Sequence, residues 1–145
     1  MVGKTKRGKG TKIMALVDGN GLPIAIDVDS ANRSEVNLVE SLIDNANTKY
    51  VPDKLIYDKA ADSDKLRRLL AERNIELICP HRKGRVRPPT QDGRPLRRYK
   101  RRWKVERTIA WLQQFRRLVT RYEFYAFLFQ AFAKIACLMI ILRRF

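Results

Sequence analysis

An α/β fold is predicted by three features of this sequence: a β-rich hairpin signal near the front, apolar runs that switch between strand and helix periodicity through the middle, and a last third that reads as helix. The order is hairpin, helix, strand, helix, strand, basic loop, helix, helix. Such an order predicts a mixed sheet with helices packed on it. At 145 residues the chain suits one domain, 1–145. Hydrophobic residues make up 45% of it, enough for a packed core, which speaks against wholesale disorder.

The hairpin is "TKIMALVDGNGLPIAIDVD", two β-rich runs around "DGNG", whose residues suit positive φ. In "SANRSEVNLVESLIDNAN" that follows, Val36, Val39, Leu42 and Ile43 stand three and four apart, which predicts an amphipathic helix with Asn32 or Ser34 as its cap. "DKLIYDKAADSDKLRRLLAERN" is a strand over 55–57, then Asp58 at its C-terminal end, then a helix capped by Asp62 or Ser63 with the stripe Leu66, Leu69 and Leu70. "IELICP" is a further short strand closed by Pro80. "HRKGRVRPPTQDGRPLRR" is too rich in Gly, Pro and Arg to pack a core and predicts an exposed loop. A long helix over about 99–122 and an apolar helix over 124–142 complete the chain.

Charge is the outlier. Lys and Arg number 31 against 15 Asp and Glu, a net charge of +16. Such an excess calls for a polyanionic partner, of which nucleic acid is the commonest; an acidic protein or membrane surface is the alternative. Between residues 82 and 107, 12 Lys and Arg stand against Asp92 and Glu106. Cys79, Cys137 and the single His81 form no metal-ligand spacing, so a zinc site or a disulfide framework is unsupported, and a reducing cytoplasm fits. The two cysteines read as small core residues, His81 as a loop residue beside Pro80, and Trp103 and Trp111 as helix packing. "MVGKTKRGKGTK" leads into no apolar run, so it is not a signal peptide. The apolar stretch 124–142 carries Gln130 and Lys134 near its middle. A central Lys costs roughly 3 kcal/mol on insertion, so a core helix or protein-binding face is expected there, with no membrane partner.

One stretch concentrates the functional question. "RRYKRRWKVERTIAWLQQFRRL" holds one carboxylate, Glu106, among nine Lys and Arg. With about 100° per residue on an α-helix, and Arg102 at zero, Tyr99 lies near 60°, Glu106 near 40° and Gln113 near 20°. Val105, Ile109, Leu112 and Val119 fall at roughly 260° to 340° and form the expected buried stripe. Glu106 then sits on the shoulder of the core side, where either a salt bridge or a functional carboxylate fits. Asp58 alone reads as a turn and helix cap. Together, a carboxylate at a strand end, another on a downstream helix and a dense basic surface match phosphodiester chemistry: carboxylates gather hard cations, and Lys and Arg hold phosphates.

These residues carry a resemblance. "LIYDKAADSDKLRRLL" is similar to the segment around the second catalytic Asp of bacterial insertion-sequence transposases of the DDE type, in the group usually numbered family five. Asp58 takes the Asp position, and Ala61 stands where the family commonly has Tyr. "YKRRWKVERTIAWLQQ" resembles the family's Y-x2-R-x3-E-x6-K signature at Tyr99, Arg102 and Glu106, with Gln113 replacing the Lys. "GKGTKIMALVDGNGLPIAI" resembles the hairpin before the second Asp. The likeness covers nearly the whole chain. It implies a ribonuclease-H-like mixed sheet with flanking helices. It implies cleavage of DNA at transposon ends and transfer into target DNA, with Mg²⁺ as cofactor and Mn²⁺ as the second candidate. Asp58 and Glu106 would be catalytic and metal-binding; Tyr99, Arg102, Arg97, Arg98, Lys100, Arg101, Lys104 and Gln113 would contact DNA. A cytoplasmic, nucleoid-associated protein is implied.

In that family the first catalytic Asp lies on a strand upstream of the hairpin. No Asp precedes Asp18 here, and Asp18 belongs to the turn; Asp27 and Asp29 end the next strand and are weak substitutes. The expectation is therefore a partial catalytic domain that lacks its first, central strand, inactive alone, and partnered by an upstream half or by self-association. A basic nucleic-acid-binding module without catalysis is the alternative.

Overall fold

The computed structural model describes residues 3–5, 8–34, 36–46, 51–91 and 93–144. The chain forms two compact units, one of Met1–Asn47 with Lys104–Phe145 and the other of Thr48–Trp103. The architecture is α/β, and the described strands form two sheets rather than one mixed sheet.

In the first unit, β1 (Gly3–Thr5), β2 (Gly8–Val17) and β3 (Pro23–Ser30) form an antiparallel sheet in that order. β1 was not expected; it pairs Gly3 with Gly10 and Thr5 with Gly8, inside the basic stretch that precedes the hairpin. β2 and β3 pair from Thr11 with Ser30 to Val17 with Pro23. Pro23 opens its strand, the position where a missing N–H costs least. The "DGNG" turn closes as expected: one Asp18 carboxylate oxygen accepts from the amides of Asn20 and Leu22, both at 2.8 Å. α1 (Val36–Asp44) buries Leu38, Val39 and Leu42. Val36 and Ile43, expected on the stripe, are half-buried, and Leu38 takes the central place.

The long helix expected over 99–122 is broken into three pieces. A 3-10 helix spans Arg97–Arg102. It leads into α4 (Trp103–Leu112), and α5 (Arg116–Val119) follows after a turn in which Phe115 is extended. Val119, expected in the buried stripe, is exposed, because the break rotates α5 away from the α4 face. α6 (Ala126–Leu142) buries Phe129, Ala133, Ala136, Cys137 and Ile140 at three- and four-residue spacing. With Ile26, Leu112 and Leu118 these form the core of the unit. Among the described residues, no helix is long and apolar enough to cross a membrane. The guanidinium groups of Arg107 and Arg144 stand over the Trp111 ring, at 4.7 and 4.2 Å from its centre, whereas Trp103 is half exposed.

In the second unit, β4 (Lys54–Ile56) pairs in parallel with β5 (Glu76–Ile78), and α2 (Asp64–Glu72) makes the crossover. Ser63, one of the two residues expected to cap α2, does so by accepting from the Leu66 amide. Asn74 at φ 60 ends the helix, the left-handed conformation Asn tolerates well. Leu66, Leu70, Leu77, Ile78 and Cys79 are buried between helix and strands. α3 (Gly93–Leu96) is a single turn inside the basic loop. Asp92 lies outside the described residues.

Candidate functional site

The β4–β5 ladder extends one residue past β4, where the Tyr57 amide donates to the Ile78 carbonyl at 3.0 Å. Asp58 comes next, at the C-terminal end of a parallel strand, where open α/β sheets present ligand-binding groups. Its backbone is extended, and one carboxylate oxygen accepts from the Ala60 amide at 2.8 Å, capping a 3-10 turn over Lys59–Ala61. The Cys79 thiol donates to the Asp58 carbonyl at 2.9 Å, fixing the strand exit from below. Burial pushes that thiol up to about 11, so it stays protonated and able to donate. The second carboxylate oxygen of Asp58 makes no hydrogen bond with a described residue.

Four residues on, Asp62 organises the basic loop, a role that sequence reasoning missed. Its side chain is 3% exposed. One oxygen meets His81 Nδ1 at 2.9 Å, Arg67 at 3.3 Å and Arg85 at 3.4 Å; the other accepts from the Arg82 amide at 2.9 Å. Burial opposes its ionisation, but the Arg82 amide, His81 and Arg67 outweigh that and hold its carboxyl below the ordinary value. His81 Nε2 accepts from the Thr90 amide at 3.1 Å. A backbone N–H can only donate, so the tautomer is fixed, with the proton on Nδ1 facing Asp62. Asp64 binds Arg85 at 2.7 Å and Arg87 at 2.8 Å, and those two guanidinium groups pull its carboxyl down to about 2. His81 is thus no idle loop residue, and the loop expected to be merely exposed is tied down at its start. The one sequence signal was charge complementarity between "DSD" and "HRKGRVR".

The signature stretch divides between the two units. Tyr99 and Arg102 lie in the 3-10 helix, which turns every three residues, so the pair still meet: the guanidinium is 5.5 Å from the ring centre. The continuous α-helical stripe that was to join Tyr99, Arg102, Glu106 and Gln113 does not form. Arg97, Arg98, Lys100 and Arg101 are exposed on this segment. Glu106 is exposed on the first turn of α4, and Gln113 is exposed in the turn after it. The other face of α4 grips the hairpin turn. Lys104 Nζ, expected to contact DNA, donates to the Gly19 carbonyl. Arg107 donates to the Asn20 carbonyl at 2.6 Å, and the buried Thr108 hydroxyl donates to the Gly21 carbonyl at 2.5 Å. Gly21 is at φ +84, and a Cβ there would stand 2.7 Å from the Arg107 guanidinium. The positive φ is what favours glycine there, since the Arg107 side chain could shift to relieve the contact.

Asp58 and Glu106 fall in different units. Among the described residues, no three His, Cys, Asp or Glu side chains gather to hold a metal ion. The two carboxylates match the oxygen donors that hard divalent cations prefer, but they do not make a complete set. The expected substitutes for a third are committed elsewhere. Asp27 accepts from Gln130 at 3.0 Å, and buried Asp29 pairs with Arg33 at 2.5 Å.

Comparison with known proteins gives the family. A family profile described as the transposase DDE domain matches residues 2–141. A protein of Burkholderia cepacia named as a transposase for insertion sequence element IS402 is 35% identical over 139 residues, covering 90% of this chain and 62% of that protein. A protein of Brucella ovis named for insertion sequence element IS6501 is 33% identical over 136 residues, covering 92% of this chain and 98% of the relative. The chain thus spans less than two thirds of the first relative and nearly all of the second. No solved structure shows a significant match.

Proposed function

We propose, from the premise that this chain belongs to the family of transposase DDE domains, that it carries two of the carboxylates and much of the DNA-holding surface of a DNA transposase. The observation that carries this reading is Asp58 at the exit of a parallel strand, with one carboxylate oxygen fixed by a turn amide and the other open. Asp58 and Glu106 would be two of the ligands to a divalent ion, Mg²⁺ or Mn²⁺. When bound, such an ion activates an oxygen nucleophile and stabilises the leaving oxygen of a phosphodiester. The chain's own residues hold the DNA: Arg97, Arg98, Lys100 and Arg101 contact phosphates, Arg102 with Tyr99 places the backbone, and Lys104 and Gln113 are further contacts. The overall plan is ribonuclease-H-like, which the order of hairpin, helix and parallel pair supports. A third carboxylate, from an upstream segment or a second copy, completes the set. The setting is the cytoplasm, at the nucleoid.

A strand-nicking assay on transposon-end DNA with Mg²⁺ tests this. The 145-residue chain is expected to be inactive. A version extended upstream to include an Asp-bearing strand is expected to nick, and to lose that activity on Asp58→Ala or Glu106→Ala. An active extended protein that tolerates both substitutions would sink the assignment. The net charge of +16 and the exposed run of Arg97, Arg98, Lys100 and Arg101 favour a second reading, DNA binding without catalysis. Binding that ignores both Mg²⁺ and Glu106→Gln, with no nicking by the extended protein, would select it.

A further inference from the structure

The second unit holds a cleft of about 1050 Å³ between α2 and a wall that includes Thr90, Gln91, Pro95, Arg97 and Arg98. Arg68 stands on the helix wall, and Arg97 and Arg98 stand on the facing wall. None of these three arginines makes an ion pair with a described residue. The acids that line the same cleft are already matched: Asp64 by Arg85 and Arg87, and Glu76 by Lys54 at 3.9 Å. The described lining thus carries an excess of positive charge, five arginines against two acids.

The walls are built rather than incidental. Gln91 bridges to β5 by donating from its side-chain amide to the Leu77 carbonyl and accepting from the Cys79 amide at 3.3 Å. Thr90 is held by His81. These bonds fasten Gln91 to β5 and Thr90 to His81 on that side of the cleft.

The chemistry of the lining selects the ligand. Guanidinium groups match phosphate oxygens in a two-pronged geometry. No aromatic side chain is among the described lining residues, so the cleft lacks the aromatic platforms on which single-strand binders stack bases. The cleft is broadly open to solvent, which suits a chain passing through better than an enclosed small molecule. We propose that this cleft takes the phosphodiester backbone of DNA without reading its sequence, with Arg68 on one side and Arg97 and Arg98 on the other. The proposal rests on the reading of the chain as a DNA-handling protein; it adds Arg68 and the α2 wall to that surface and assigns them sequence-indifferent contact.

Fluorescence anisotropy on the full chain tests it, with two labelled duplexes of unrelated sequence titrated over a range of salt. Each lost phosphate contact lowers the slope of log affinity against log salt by about 0.9. Arg68→Ala and Arg97→Ala are each expected to lower the slope by about that much on both duplexes, and Arg68→Lys to retain it. Lys65→Ala removes a charge from the same helix outside the cleft and is expected to leave the slope as it is. The proposal is overturned if Arg68→Ala keeps the wild-type slope, if Lys65→Ala lowers it equally, or if the loss is confined to one duplex. Poly-glutamate that outcompetes both duplexes through Arg68 would reassign the cleft to an acidic protein and overturn it too. Arg68 is exposed, and an unchanged unfolding midpoint in the alanine variant confirms that a lost slope is not a lost fold. An unchanged slope in a chain whose extended version still nicks removes the cleft alone; a chain that binds neither duplex removes both readings.

Discussion

The two units fix their basic elements by different chemistry. In the first, Lys104, Arg107 and Thr108 on α4 donate to the carbonyls of Gly19, Asn20 and Gly21 in the hairpin turn. In the second, His81, the Arg82 amide, Arg85 and Arg87 converge on the carboxylates of Asp62 and Asp64. Carbonyl acceptors do not titrate and carry no net charge. Carboxylates do both, so the second arrangement is the one open to acid and to single-residue loss. A segment this basic must be held against its own repulsion, and here a nearly buried Asp performs that task in one unit while backbone dipoles perform it in the other.

The largest expected effect comes from Asp62→Ala. It removes the acceptor shared by His81, Arg67, Arg85 and the Arg82 amide and leaves several donors, two of them cationic, without their partner. Removing one member of a buried charge pair typically costs 3–5 kcal/mol; the arginines here keep some solvent contact, so about 3 kcal/mol is expected. Urea unfolding measures the loss. Hydrogen exchange locates it: amides over 76–91 lose protection while those of α4 keep theirs. Loss of protection in α4 to the same degree would break the contrast between the units.

Thr108→Val probes the carbonyl clamp. The side chain is fully buried and close in shape to valine, and its hydroxyl reaches the Gly21 carbonyl at 2.5 Å with the Lys104 carbonyl at 3.0 Å as a second acceptor. The substitution leaves a buried carbonyl without its donor, at a cost of about 1–2 kcal/mol. The expected signature is the reverse of the first: the 18–22 turn and α4 lose protection, and the 76–91 region does not. Gly21 sets the geometry and Thr108 the bond, so a Thr108→Ser variant that keeps the hydroxyl is expected to retain most of the stability.

How far these arrangements could be read from sequence depends on the range of the contacts. The "DGNG" turn, the stripe of α2 and the burial of Cys79 and Cys137 are local or compositional, and they are where the sequence puts them. Asp58 at a strand end was legible for the same reason. The break in the long helix was not. "WLQQF" contains neither Gly nor Pro, and the chain turns there so that Leu118 can join the α6 core. Like charges four apart, such as Arg97 with Arg101 and Arg98 with Arg102, also weaken an α-helix at its start. The Asp62 contacts reach 19 to 23 residues along the chain to His81, Arg82 and Arg85, and no periodicity reports a contact of that range. The clamp of α4 on the hairpin turn spans 85 to 87 residues and was invisible for the same reason.

Acid gives the smallest effect and the sharpest division between the units. Asp64 falls from an ordinary 3.8 to about 2, and Asp62 is also depressed. A carboxyl whose folded value lies below its unfolded value stabilises the fold above the unfolded value, and that contribution is lost as pH falls through the folded one. The loop contacts are therefore intact at pH 5 and weaken progressively from about pH 4 down to about pH 2. The carbonyls of Gly19, Asn20 and Gly21 that anchor α4 have no carboxylate among them. Amide chemical shifts followed by acid titration are expected to move first at Arg82, whose N–H donates to Asp62, while the Gly21 and Thr108 amides stay in place. Simultaneous movement of both sets would mean that the two anchors are not independent, and that the carboxylate network supports α4 as well as its own loop.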